Sequence, residues 1–383
     1  MAEMTSRERV RAALELRQPD RVPIDIGGSS VSTIIGSAYE DLKAHLGIES
    51  ETHYMKRKSR SAILDERIAR RLHADTRPLL IGGPDGWEDI YFEDGSFQDE
   101  FQIVWRKSGD ARGHYAPLGN PLKHATSIAE IESFAWPDPR NPGRTRGMRE
   151  KARQLHDETD YAIVLILPVG CVHLSQYLRG YEEFLIDIIL NPEFLEALLD
   201  HSVAWWNTLT AAALDEVGPY VDVVMFGDDV AFDDRPMLDI QRYRQLIKPR
   251  TKSMIDCIKA RTDAGVLYHT DGALKTMIDD FIEIGVDALN PIQVSSVGMG
   301  DTAELKARFG DRLCFWGSVD TSRVLSQGSP EEVRQEVRCR IEDLAPGGGL
   351  VIASVHNMQE DVPPENILAM ADAAYEIGQA VYQ

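Results

Sequence analysis

Short apolar runs that end abruptly in polar residues recur along this chain. Residues 266–268 run into His269-Thr270-Asp271-Gly272, residues 221–226 into Gly227-Asp228-Asp229, and residues 350–353 lead to His356-Asn357. Further runs at 21–27, 76–81, 162–167, 287–290 and 313–316 complete the series of predicted strands. Between them, apolar residues at helical spacing predict helices near 145–156, 181–189, 192–217, 240–264, 274–284, 302–309, 331–344 and 364–380. Ahead of the first strand, Thr5 and Ser6 precede a stripe of Val10, Ala13 and Leu14, which predicts a capped amphipathic helix. The alternation amounts to about eight strand–helix units, the number that closes a (β/α)8 TIM barrel of the α/β class, here filling residues 1–383 as one domain. An open doubly wound sheet is the competing architecture. It is disfavoured because no Gly-x-Gly-x-x-Gly follows an early strand.

One stretch breaks the rhythm. Residues 85–118 are rich in glycine, aspartate and aromatic side chains; 92–97 reads as a hairpin turn and 100–105 as a strand. The expectation is an insertion after the second strand that lies over the barrel mouth, with Trp87, Phe92 or Trp105 as walls for a substrate.

Composition narrows the setting. Of 383 residues 43% are apolar, enough for a large core and unlike a disordered chain. The formal charge of −21 disfavours nucleic acid and anionic membrane as partners. Cys171, Cys257, Cys314 and Cys339 are far apart with no Cys-x-x-Cys pair, which argues against a disulfide framework or a zinc ribbon. The first residues are charged and lack an apolar signal core, and no window approaches the ~20 apolar residues of a membrane span. A reducing, cytoplasmic setting is the expectation.

In a parallel barrel, polar residues at the carboxyl ends of strands face the ligand region. His269 and Asp271 are two apart, so in an extended segment they share a face and reach one ion or proton. His356 comes from the last stave, which neighbours the first, and Asp228 and Asp229 end the strand before that of His269. An imidazole–carboxylate–imidazole set with an open position suits a divalent metal such as zinc, and the same groups serve as acid and base without one. The bland alternatives are a strand-end histidine that only bonds a neighbouring loop, and aspartates that cap a helix or pair with Arg235. Asn290 and Gln293 flank Pro291 in a strand-end loop suited to positioning a polar ligand. Cys171 and His173 lie near the mouth without an evident activator, while His53, His73, His114 and His124 read as surface or loop residues.

Several short motifs, taken in order, resemble the uroporphyrinogen decarboxylase superfamily, and within it the branch of corrinoid-dependent methyltransferases. They are the opening Arg7-Glu-Arg-Val-Arg-Ala-Ala-Leu with Arg21-Val-Pro, then Phe226-Gly-Asp-Asp229, Tyr268-His-Thr-Asp-Gly272, Ile284 to Gln293, Phe315-Trp-Gly-Ser-Val-Asp320 and Pro363-Pro-Glu-Asn366. The resemblance implies the same barrel. Haem-pathway decarboxylases carry an arginine-rich segment after the first strand, whereas Asp25-Ile-Gly-Gly-Ser-Ser30 here has no arginine with which to grip tetrapyrrole carboxylates. The zinc methyltransferases of the branch use His-x-Cys and a distant second cysteine. His269 matches the histidine, Asp271 stands at the first cysteine and His356 about at the second. Such a site is a stronger Lewis acid than a thiolate-rich one, suited to an ether or amine leaving group. The resemblance therefore implies transfer of a methyl group from a small methoxylated or methylated compound to a corrinoid. No Asp-x-His-x-x-Gly cobalamin motif is present, so the corrinoid is expected on a partner protein, and a homodimer is expected by analogy. A metal-independent decarboxylase or lyase, and a non-catalytic ligand-binding barrel, are the competing functions.

Overall fold

A computed structural model describes residues 3–56, 58–107 and 115–382. A hairpin of β1 (His53–Lys56) and β2 (Ser61–Ile63) precedes β3 (Thr76–Leu80). A meander of β4 (Ile90–Tyr91), β5 (Phe97–Gln98), β6 (Val104–Lys107) and β7 (Tyr115–Gly119) follows. Then come β8 (Ala162–Ile166), β9 (Val223–Gly227), β10 (Gly265–His269), β11 (Ala288–Asn290), β12 (Cys314–Val319) and β13 (Leu350–Ser354), separated by helices. Seven strands form one parallel sheet in the order β13-β12-β11-β10-β9-β8-β3. The predicted first strand is reduced to a single bridge. Ile24 pairs in parallel with Ile352 of β13, and the Asp75 N–H donates to the Ile24 carbonyl at 2.8 Å. That stave joins the two ends of the sheet and closes the eight-membered barrel.

Side-chain parity builds two apolar layers from the same strands. Ala162, Val164 and Ile166 of β8, Val223 and Met225 of β9, Leu267 of β10 and Val351 and Ala353 of β13 gather in one buried cluster. Their neighbours Ile163, Leu165, Val224, Phe226, Val266, Tyr268 and Ile352 belong to the larger layer against the helices. The first cluster is the barrel interior, because it also holds Val10 and Ala13 of the helix Ser6–Leu14, which plugs the amino-terminal end. Thr5 caps that helix: its Oγ1 accepts from the Glu8 N–H at 3.2 Å, and the Glu8 carboxylate accepts from the Thr5 N–H at 2.8 Å.

Three aspartates lock this end. Asp75, Asp222 and Asp287 each directly precede a barrel strand, and each accepts a backbone N–H from a neighbouring stave: Ile24, Ile163 and Val266, all at 2.8 Å. Asp75 is fully buried and also accepts from Arg9 at 2.9 Å and from Arg21 at 2.7 and 2.8 Å.

Several predicted elements have different bounds. The helix expected over 240–264 is two, Ile240–Leu246 and Lys248–Lys259, because Pro249 has no N–H to donate and its ring fits only the first turn of a new helix. The insertion is a four-stranded meander rather than one hairpin and a strand. His114 and part of that insertion lie outside the described residues. All four cysteines are free thiols, and among the described residues no helix is long and apolar enough to cross a membrane.

Candidate active site

The parity that sends Leu267 into the barrel sends His269 to the same face at its mouth. His269 is 7% exposed, and Gly227 of the paired strand makes room for it: a Cβ there would lie 2.7 Å from that of His269. Its Nδ1–H donates to Asn290 Oδ1 at 2.7 Å, while Asn290 Nδ2 donates to the Trp316 carbonyl at 3.1 Å. The carbonyl fixes which way the amide faces, and the amide fixes the imidazole tautomer. Nε2 is left to face the cavity, 3.7 Å from Asp271 Oδ2. The His356 ring stands 5.6 Å from that of His269. One ligand atom from each of His269, Asp271 and His356 lies within 4.8 Å of the others, so the three residues meet. Asp271 Oδ1 is buried with no hydrogen-bond partner among the described residues. Burial raises the Asp271 carboxyl, against the pull of His269 and His356.

Asp228 and Asp229 have separate tasks. Asp228 points away from the barrel axis and is fully buried. It accepts from the Val172 N–H at 3.1 Å and the His173 N–H at 2.8 Å, and so caps the helix Cys171–Arg179. The helix-cap alternative is therefore correct for Asp228, with the cap supplied across the fold rather than along the chain. Gly170 is required beneath it, since a Cβ there would approach Asp228 Oδ2 to 2.2 Å. Burial pushes the Asp228 carboxyl up to about 6, against His173 and the two N–H donors. Asp229 faces the mouth, where its Oδ2 lies 3.4 Å from His173 Nε2 and its Oδ1 accepts the Asp271 N–H at 3.1 Å. Burial disfavours the charged Asp229, but the His173 contact outweighs it and holds the carboxyl well below the usual range. Burial likewise disfavours protonated His173, and Asp229 and Asp228 reverse that and raise it. Arg235 pairs with Asp234 instead.

These groups open into a cavity of about 520 Å³, within the range of small-molecule sites. Phe97, Phe101, Trp105, Tyr115, Tyr177 and Trp205 supply aromatic walls. Trp105 stands edge-on to Tyr177 at 5.0 Å, and Tyr177 stacks on His173 at 5.6 Å. The insertion thus reaches the cavity through Trp105. Trp87 and Phe92 do not: Trp87 follows the turn ahead of β4, and Phe92 is 42% exposed at the hairpin tip. Gln293 also stands outside the lining. It accepts the Gly272 N–H at 2.7 Å and donates to Asp233 at 3.0 Å, so it is a strut between loops. Asn290 bonds His269 and does not itself line the cavity. Cys171 is buried, and burial with Asp228 keeps its thiol well above its ordinary value.

Sequence reasoning placed the lining residue His173 near the mouth without finding its partner, and it missed Lys56 and Lys58. His173 was legible only as a polar residue near a strand end. The lysines sit on β1 and its turn, where no regular apolar pattern marks a strand.

Comparison with known proteins places this site in a family. The chain is 24% identical over 268 residues to a uroporphyrinogen decarboxylase of Alkalilimnicola ehrlichii, covering 67% of this chain and 68% of that protein. It is 25% identical over 211 residues to the methylcobamide:CoM methyltransferase MtaA of Methanosarcina barkeri, covering 54% and 56%. A solved methyltransferase structure from Methanosarcina mazei superposes over 98% of this chain and 99% of that one, with a TM-score of 0.69 at 19% identity, a likeness of fold. The uroporphyrinogen decarboxylase family model matches residues 118–377, which include β8 to β13 and all of His173, Asp229, His269, Asp271 and His356. The chain belongs to the uroporphyrinogen decarboxylase family.

Proposed function

We propose that the protein is a methyltransferase that takes a methyl group from a small methoxylated or methylated compound and passes it to a corrinoid carried by a partner protein. The observation that carries this reading is the meeting of His269, Asp271 and His356 at one point of the cavity. A relative named as a methylcobamide:CoM methyltransferase supports it. The donor set fits zinc. Two imidazole nitrogens and one carboxylate oxygen, within 4.8 Å of one another, are ligand types that zinc takes. Asp271 Oδ1, buried and unpartnered among the described residues, is an atom that a cation satisfies. Bound there, zinc supplies a Lewis acid for the heteroatom that bears the methyl group.

The chain's own residues do the rest. Asn290 keeps the proton of His269 on Nδ1, so that Nε2 presents its lone pair. The aromatic walls enclose the substrate and keep competing water away. As the methyl group departs, the heteroatom retains the electron pair of the broken bond. His173 lines the same cavity, Asp229 favours its protonated form, and through Nε2 it would give that heteroatom a proton.

Elemental analysis and a transfer assay test this together. Wild-type protein is expected to hold stoichiometric zinc and to convert cob(I)alamin to methylcobalamin with an aryl methyl ether. Both properties are expected to vanish in His269→Ala and with a strong chelator. Wild-type protein that is free of divalent metal and still active would end the proposal. A second reading, metal-independent decarboxylation or a lyase reaction, draws on one observation: His173, Asp228 and Asp229 form a proton-handling group that needs no ion. Chelator-resistant release of carbon dioxide from a carboxylic acid would favour it.

A further inference from the structure

The hairpin side of the cavity carries a charge with nothing to balance it. Lys56 and Lys58 are two residues apart, and both line the cavity. Lys58 is committed: its Nζ donates to Asp99 Oδ2 at 2.7 Å and lies 3.7 Å from the centre of the Trp105 ring. Asp99 is committed in turn, accepting Trp105 Nε1–H at 2.7 Å and the N–H groups of Phe101 and Ile103 at 3.0 and 3.1 Å. Asp89 also lines the cavity and has its own partner. Asp229 is engaged with His173, and Asp271 belongs to the His269–His356 set. Lys56 alone meets no acid among the described residues. Burial, with the like charge of Lys58 adding to it, lowers its ammonium to about 8, so it is still mostly charged at neutral pH. It is close enough to His173 for its charge to work against that imidazole's protonation.

An uncompensated ammonium in an enclosed, aromatic-lined site is unfavourable unless something anionic enters. We propose that the cavity takes a substrate with a flat apolar body and a single carboxylate, the carboxylate being bound by Lys56 and the body by the aromatic walls. Resting on the methyl-transfer reading above, this makes the substrate class the methoxylated aromatic acids, with the methylated oxygen against His269, Asp271 and His356. One monovalent cation matches one monovalent anion. A phosphate dianion would leave a charge unmatched among Asp89, Asp99, Asp229 and Asp271, all of which line the cavity.

The test is equilibrium binding to the full chain without partner or corrinoid, read through the fluorescence of Trp105 and Trp205 in the cavity wall. The probes are 3-methoxybenzoate, 4-methoxybenzoate and 3,4-dimethoxybenzoate, each against the neutral ether with methyl in place of carboxylate. Wild-type protein is expected to bind at least one acid ~10-fold or more tightly than its neutral counterpart. Lys56→Met is expected to abolish that preference while changing the affinity of the neutral ether by less than ~2-fold. Equal affinities in the wild type, a preference that survives Lys56→Met, or failure of all three acids to bind each overturns the proposal. His269→Ala separates the two ideas. An acid preference that persists in His269→Ala, beside a wild type that transfers no methyl group, keeps the carboxylate subsite and removes the methyl-transfer reading. Transfer from neutral ethers with no acid preference does the reverse.

Discussion

The two ends of the barrel both bury charge, and they handle it in opposite ways. At the amino-terminal end, Asp75 is fully buried and fully engaged: two arginines, the Ser6 hydroxyl at 2.7 Å and a backbone N–H meet its oxygens. Asp222 is buried likewise between Arg7 and Arg11, and the part-exposed Asp287 pairs with Lys259. At the carboxyl-terminal end, acids and imidazoles crowd together with too few partners. Asp271 Oδ1 and His173 Nδ1 are buried without a hydrogen bond among the described residues. A saturated network fixes a structure, whereas an unsaturated one is held ready for something that is not part of the chain. In this fold the first condition belongs to the stabilising end and the second to the reactive end.

Three substitutions probe that contrast. The largest effect is expected at the saturated end. Asp75→Ala leaves Arg9 and Arg21 buried without their common partner and frees the Ile24 N–H at the barrel seam. A loss of about 3–5 kcal/mol in urea unfolding is expected. A loss under about 1 kcal/mol would mean that this network does not hold the seam.

At the mouth, Asn290→Ala is expected to leave stability nearly intact and to weaken zinc binding by about 10–100-fold, because His269 loses the partner that fixes its tautomer. Competition with a metallochromic chelator measures it, and unchanged affinity would show that Asn290 does not orient the imidazole.

The smallest effect has the opposite sign. Lys56 is lowered from 10.5 to about 8. Below pH 8 both folded and unfolded chains hold the proton, so the folded chain bears the full penalty of the enclosed charge. Between about pH 8 and 10.5 the folded chain releases the proton first, and stability gains relative to lower pH. Lys56→Met removes the penalty. Discounted for partial exposure, it should stabilise the protein by about 1 kcal/mol at pH 7, with the advantage fading above pH 8. A thermal melt in which Lys56→Met is less stable than wild type at pH 7 would contradict this.

The contrast also explains what could be read from sequence. Strand parity and the sharp end of each apolar run point His269, Asp271 and His356 to one place, because in a parallel barrel those two local signals determine a position at the rim. The eight staves were legible for the same reason, although the first survives only as the bridge at Ile24. What lies above the rim was less legible. Trp105, on β6 opposite Phe97, reaches the cavity, and Trp87, in irregular chain ahead of the meander, does not. Lys56 and Lys58 depend on how a short, largely polar hairpin folds over the mouth. No periodicity in residues 53–63 specifies that.

Two adjacent acids, Asp228 and Asp229, take hold of one residue in different ways. The first grips the main chain of His173 at the start of its helix, and the second grips the imidazole. Replacing the ring leaves the first grip untouched, and the helix remains anchored to β9. A His173→Gln protein should keep its shape while losing the group proposed as proton donor, and that separation makes His173 a position where a change in rate is little confounded by a change in architecture.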